Sequence, residues 1–162
     1  MNISLADFDA HPEKVSKQIV LPNGQEVLLR PLCSDDASIL SAYFISLSQK
    51  TRNLFAPHPF DRATAEMLCA QIDSTREMRL LAIVKEEETE RVVAYFITLF
   101  YVYDGDGKRY EEWGIPLDDR TDCQIAPSAA DDYQGTGLGS MMMDFLVDIF
   151  HTLGYERMVL SL

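Results

Sequence analysis

Basic side chains are the first scarcity in this 162-residue chain: 14 lysines and arginines stand against 26 acidic residues, a formal charge of −12. Such a surface repels phosphate backbones and anionic lipids at long range, so neither nucleic acid nor membrane is expected as a partner. It favours cationic acceptors such as amines, although most of these charges need do no more than keep the protein soluble. Cysteine is scarce as well. Cys33, Cys69 and Cys123 lie far apart with no CxxC pair, which fits reduced thiols in a cytosol better than a disulfide framework. His11, His58 and His151 are equally scattered, and a structural metal needs ligands at short spacing, so no metal is expected. No apolar run approaches the ~20 residues that a membrane-spanning helix requires. The first seven residues, Met1 to Asp7, lack the basic and apolar regions of a secretion signal. A soluble, cytoplasmic protein is the expectation.

What is present is enough apolar material for one core. Hydrophobic residues make up 47% of the chain, the length suits a single domain, and no repeat or linker divides it. Residues 1–14 are polar and expected to be ragged, leaving 15–162 as the domain. Two short apolar runs, Val15 to Val20 and Glu26 to Leu32, flank an Asn23-Gly24 pair, a strong hairpin signal because both residues tolerate positive φ. Ser34-Asp35-Asp36 then starts a helix to about Leu47, and a second begins near Asp61 with Ala65, Leu68 and Ile72 inward. Between them Pro57 and Pro59 make a loop. Arg79 to Val84 and Arg91 to Tyr103 read as an antiparallel pair. Asp104 to Arg120 is a polar insertion. Asp122 to Ala130 is a strand with a bulge or an edge at Pro127, Leu138 to Leu153 a helix, and Tyr155 to Leu162 a last strand. The fold class is therefore α+β, a mixed and mostly antiparallel sheet with helices on both faces, in the order β-β-α-α-β-β-β-α-β.

The chemistry concentrates at Gln134-Gly135-Thr136-Gly137-Leu138-Gly139, where a strand runs into a glycine-dense turn and a helix follows at once. Unpaired N–H groups at a helix start converge on one spot, and the macrodipole adds roughly half a positive charge there. Glycines let the backbone approach a bulky pyrophosphate. No lysine follows, so this is not a P-loop. The GxGxG spacing is one residue short of the dinucleotide pattern, and too little chain remains for a Rossmann domain. The stretch Asp131 to Gly139 resembles the acyl-CoA signature of the GNAT acyltransferases, Arg/Gln-x-x-Gly-x-Gly/Ala, with Gln134, Gly137 and Gly139 at the defining positions. The element order from about Gly24 onward is similar as well.

The resemblance implies an N-acetyltransferase that moves an acetyl group from acetyl-CoA to a primary amine by direct attack in a ternary complex. The amine could be a small molecule or part of a protein. The implied cofactor site is Ser128, Ala129, Ala130 and Asp131, beside which the pantetheine arm adds to a splayed strand, with Gln134, Gly135, Thr136, Gly137, Leu138, Gly139 and Ser140 at the pyrophosphate. Many relatives place a glutamate base on this strand, in some of them at the position held here by Gln124, which cannot serve. Glu111 and Glu112 are substitutes by residue type only. Family members usually continue beyond this point with a segment that carries an asparagine and a tyrosine, so the domain is read as C-terminally incomplete. A catalytically silent acyl-CoA-binding or assembly module is the alternative.

Three further features are weighed. Phe55, His58 and Phe60 lie on a proline-braced loop that borders the acceptor site in this family, and serve either the acceptor or the core. Met141, Met142 and Met143 belong to the apolar stripes of their helix, whose breadth suggests either cover by a further C-terminal segment or a homodimer contact. Asp104-Gly105-Asp106-Gly107 begins like a calcium loop, but lacks its later glutamate and is read as a solvated turn.

Overall fold

The computed structural model describes residues 2–160. Its N-terminal segment corrects the expectation of a ragged start: α1 (Asp7–Ala10) and a 3-10 turn at Pro12–Val15 precede the sheet. Ile3, Phe8 and Val15 are buried, and Phe8 stacks on Phe100 at 5.7 Å, so a few apolar residues anchor the segment. The hairpin β1 (Lys17–Val20) and β2 (Glu26–Pro31) follows, with positive φ at Gly24 in its turn. A 3-10 turn at Ser34–Asp36 leads into α2 (Ala37–Ser46).

The short α3 (Gln49–Leu54) has no counterpart in the sequence reading. It is capped by Ser48 and held from outside by Asp131, which accepts from Ser48 N–H at 3.1 Å and Thr51 Oγ1 at 2.5 Å. α4 (Arg62–Ala70) has the expected N-cap at Asp61 and buries Ala65 and Leu68, whereas Ile72 lies beyond its end and is exposed. β3 (Glu77–Glu86) is longer than expected at both ends, and β4 (Thr89–Leu99) starts earlier and stops sooner, with Tyr101 and Tyr103 outside it.

The insertion holds a second unexpected helix, α5 (Asp104–Glu112). Gly105 and Gly107 make it a poor helix by propensity. Gln124 compensates from the sheet, accepting from Tyr103 N–H at 2.9 Å and donating to Asp106 at 2.6 Å. β5 (Asp122–Ala129), α6 (Leu138–Thr152) and β6 (Arg157–Leu160) complete the chain. The expected continuation of the last strand through Ser161 and Leu162 lies outside the described residues.

Among the described residues the sheet has six strands in the order β1-β2-β3-β4-β5-β6, antiparallel throughout except for the parallel β5–β6 pair that α6 connects. β4 is buried from Val92 to Leu99 because both faces are covered. On one face Tyr43 and Phe44 of α2 pack on Tyr95; on the other Phe150 of α6 packs on Phe100. The apolar face of α6 is closed within the chain. Leu138, Met142, Phe145, Leu146, Ile149 and Phe150 are buried, and the one large apolar residue of the helix that is exposed is Val147. The ground for a homodimer on this helix is thereby removed.

The register corrects the expected bulge at Pro127. The β4–β5 ladder runs from Ala94↔Ala129 to Leu99↔Gln124 without a shift, and the bulge lies instead between Ala82 and Ile83 in the β3–β4 pair. Ala130 N–H bonds Val93 O at 2.9 Å in this register, which fixes the antiparallel alternation. Ser128 and Ala126 therefore turn their main-chain groups to β4, while Pro127 and Ala129 turn theirs away. Proline costs no ladder bond there.

Candidate active site

β5 offers its outer edge at the point where β6 ends its pairing. The two strands pair over Asp122–Ile125 and Arg157–Leu160, and Pro127 and Ala129 lie beyond this ladder among the described residues. Of the expected stretch Ser128 to Asp131, Ala129 is the β5 residue whose main chain faces this edge. Ser128 sends its hydroxyl to Tyr43 at 2.5 Å, Ala130 bonds β4, and Asp131 is spent on α3. Pro127 contributes a carbonyl and no donor.

The glycine turn follows directly. Gly135 and Gly137 have φ of 74° and 89°, the left-handed region where a Cβ is strained, and Gly137 is the N-cap of α6. A Cβ on Gly137 would also touch the Pro22 ring at 3.7 Å, so the β1–β2 turn walls one side of the loop. Tyr133 ties the same turn down by donating to Gln25 Oε1 at 2.8 Å. Thr136 Oγ1 donates to Tyr133 O at 2.7 Å and closes the loop internally. Among the described residues, the N–H groups of Gly135, Thr136, Gly137, Gly139 and Ser140 meet no protein acceptor, and Leu138 N–H has only Thr136 Oγ1 at 3.5 Å. This is an unsatisfied donor cluster at the positive end of a four-turn helix, the physical requirement for holding an anion.

Gln134 serves this cluster from behind. Its Nε2 donates to Ala129 O at 3.2 Å, with Thr51 Oγ1 and Asp131 Oδ1 each at 3.3 Å. The side chain thus joins the end of β5 to α3 and leaves its own main chain to lead into the loop. Thr51 and Ser48 hold the Asp131 carboxyl below the usual carboxylate value, so it stays charged and bound to α3. Asp132 is held low by Arg91, which grips it with two bonds of 2.9 Å. Both acids beside the loop therefore have partners.

A cavity of about 610 Å³ opens on the other side of β5, against Gln124, Ile125 and Ala126. Phe55 and His58 of the proline loop line it. Phe60 instead packs behind them, 5.9 Å from Phe55 and 5.3 Å from His58 between ring centres. Two residues that the sequence reading passed over, Glu77 and Arg79 of β3, supply its charge. They occupy the same sheet face as Ile97 and Leu99, opposite which they pair. Arg79 bonds Glu77 through Nη1 and donates from Nε to Tyr95 Oη at 2.9 Å. His58 Nε2 lies 3.0 Å from the same hydroxyl, and His58 Nδ1 is 2.8 Å from Pro59 O. A carbonyl only accepts, so Nδ1 carries the proton and Nε2 accepts from Tyr95. Burial pushes the His58 pKa down and the Tyr95 pKa up, so both are neutral near pH 7.

No family model matches the chain. A curated acetyltransferase of Pseudomonas aeruginosa is 28% identical over 140 residues, covering 85% of this chain and 67% of that protein. The GNAT domain of an S. lividans protein matches the structure with a TM-score of 0.68 at 17% identity, over 93% of this chain and 80% of that one. The chain has the GNAT fold and is similar in sequence to a curated acetyltransferase. Mycobacterium smegmatis RimJ, solved in complex with CoA-disulfide, shares the fold with a TM-score of 0.58 at 14% identity, over 85% of this chain and 62% of that one.

Within this GNAT fold two sequence candidates are displaced. Glu111 lines a separate cavity with Lys108 and Asp118, and Glu112 is exposed on α5; neither lines the cavity against β5. They lie on a helix that the polar insertion was not expected to form. Gln124, which the resemblance set at the base position of some relatives, is buried and binds the start of α5. Glu77 and Arg79 left one signal in the sequence: two charges alternating with apolar residues at a strand start, which reads as one face of a half-buried strand. Among the described residues no three His, Cys, Asp or Glu side chains are placed to hold a metal, and no helix is long and apolar enough to cross a membrane.

Proposed function

We propose that this protein transfers an acetyl group from acetyl-CoA to a primary amine, by direct attack of the amine within a ternary complex. The observation that carries this reading is the set of N–H donors of Gly135, Thr136, Gly137, Gly139 and Ser140, without acceptors among the described residues and joined to the open edge of β5 with a cavity across the strand. The pyrophosphate would sit on the donor cluster of α6. The pantetheine arm would add to β5 as a further strand, with Ala129 N–H and Pro127 C=O as its partners. That route leads the thioester toward Gln124 to Ala126, which also line the cavity. Juxtaposition of amine and thioester supplies much of the acceleration.

The amine must shed a proton, and Gln124 cannot take it. Glu77 is the carboxylate that lines the cavity, and in this reading it accepts the proton directly or through a water. The free thiols Cys33, Cys69 and Cys123 fit the reducing cytosol that we propose as the setting. Calorimetry with acetyl-CoA, followed by thiol release across a panel of amines, tests the reading. Absence of acetyl-CoA binding would refute it. Binding without thiol release across the panel would support a silent acyl-CoA module.

A further inference from the structure

Arg79 is an odd residue to find in a pocket meant for a cation. A simple amine arrives as an ammonium ion, and a guanidinium in the same cavity repels it. Nor does stability explain the residue, since a buried ion pair often does no better than apolar side chains of equal volume. Arg79 and Glu77 have side chains 11% and 22% exposed, in a strand otherwise dominated by buried apolar residues. They are also the charged residues that line the cavity, one of each sign, in a chain of charge −12.

The hydrogen-bond inventory shows what is left over. Arg79 has five N–H donors. Nε goes to Tyr95 and one Nη1 donor to Glu77, and among the described residues the second Nη1 donor and the two of Nη2 have no acceptor. They are not sealed in the core, because among the described residues the fully buried side-chain polar atom without a partner is Thr98 Oγ1. Arg79 also borders a hollow of about 20 Å³, which has no room for a ligand, so the 610 Å³ cavity is the space in which Nη2 can be answered. His58 and Tyr95 are neutral and hold the guanidinium in place without cancelling its charge.

We propose that the acceptor is a primary amine that also carries a carboxylate, an amino-acid-like or peptide-like compound, and that Arg79 binds the carboxylate. The inference rests on the acyl-transfer reading for the amine end. Arg79 pairs with Ile97 and Ile97 with Ala126, so its Cα stands two strand spacings, about 10 Å, from β5. The acceptor lies across the sheet face with its amine toward β5 and its carboxylate toward β3. Planar, fork-shaped donors suit a carboxylate better than a lysine would.

The test uses α- and ω-amino acids of increasing length, each beside its own amide, in which the carboxylate is replaced by a neutral group. Calorimetric affinity for the coenzyme A-loaded protein and thiol release from acetyl-CoA are both read. For the chain length that binds best, the acid should exceed its amide by about tenfold or more in affinity, the effect of one charge-assisted pair. Arg79→Met should erase that preference while coenzyme A affinity is retained. The double variant Glu77→Gln/Arg79→Met should erase it too, and guards against the effect of leaving Glu77 buried alone. Equal binding of acid and amide, or a preference that survives both variants, would overturn the proposal. A carboxylate preference in binding without thiol release would uphold the pocket assignment and sink the transfer reading, so the two are separable.

Discussion

The Tyr95 hydroxyl stands 3.0 Å from Nε2 of His58, linking the middle of the sheet to a proline-braced loop 37 positions earlier. This bond needs a neutral imidazole, and burial supplies one by pushing the His58 pKa below its ordinary value of 6.5. As pH falls through about 6.5 the unfolded chain takes up a proton that the folded protein resists. Stability is therefore complete above that value and declines as pH drops toward the depressed folded pKa. The paired carboxylates, Asp61, Asp73, Asp131 and Asp132, start from 3.8 and act only at lower pH. Melting temperature should fall between pH 7 and pH 5 in the native sequence, and His58→Gln should flatten that slope.

Gly139 is the cleanest probe of the anion site. It lies in the first turn of α6, and nothing stands within 4 Å of a Cβ placed on it. Gly139→Asp should hold or raise the melting temperature, because an acid in the first turn favours the helix dipole. The same charge opposes a pyrophosphate, and acetyl-CoA affinity should fall by roughly a hundredfold or more. Unchanged affinity in calorimetry would remove the pyrophosphate from this turn.

Glu77→Gln keeps the shape of the cavity and the bond to Arg79 while removing the proton acceptor. Thiol release at saturating acetyl-CoA should slow by about 10²- to 10⁴-fold, the usual contribution of a positioned base. Acetyl-CoA affinity should be unaltered, since Glu77 lies on β3 and the donor cluster on α6. A rate that stays within a factor of about two would assign the proton to solvent.

The cysteines should be quiet. Burial pushes the Cys69 thiol up to about 11 and Cys123 to about 12, and raises Cys33 as well. The thiolate is the reactive form. A disulfide reagent at neutral pH should find little fast-reacting thiol in the native protein and three thiols after denaturation. A fast native thiol would show that one of these sites opens readily.

The order of elements along the chain and the long helices could be read from local pattern, because hydrophobic period, turn residues and caps act within a few positions. α3 and α5 could not. Each depends on a side chain far along the chain: Asp131 receives Ser48 and Thr51, and Gln124 receives Tyr103 and holds Asp106. Pro127 was legible as an edge residue but not as a residue in an unbroken ladder. Whether its missing donor matters depends on register, and register belongs to two strands together.

By itself the sequence determined the glycine turn, its entry from a strand and the helix that follows, because glycine alone takes positive φ at Gly135 and Gly137 without strain. It thereby determined the family resemblance and the expected anion. The tertiary structure decided which groups face that anion and which face the acceptor. Sheet order carried Glu77 and Arg79 to the cavity wall and moved Glu111 away from it. The alternation of β5 selected Ala129 from four neighbours. Side chains dozens of positions apart meet only once the strands between them are paired, and no local pattern encodes that meeting.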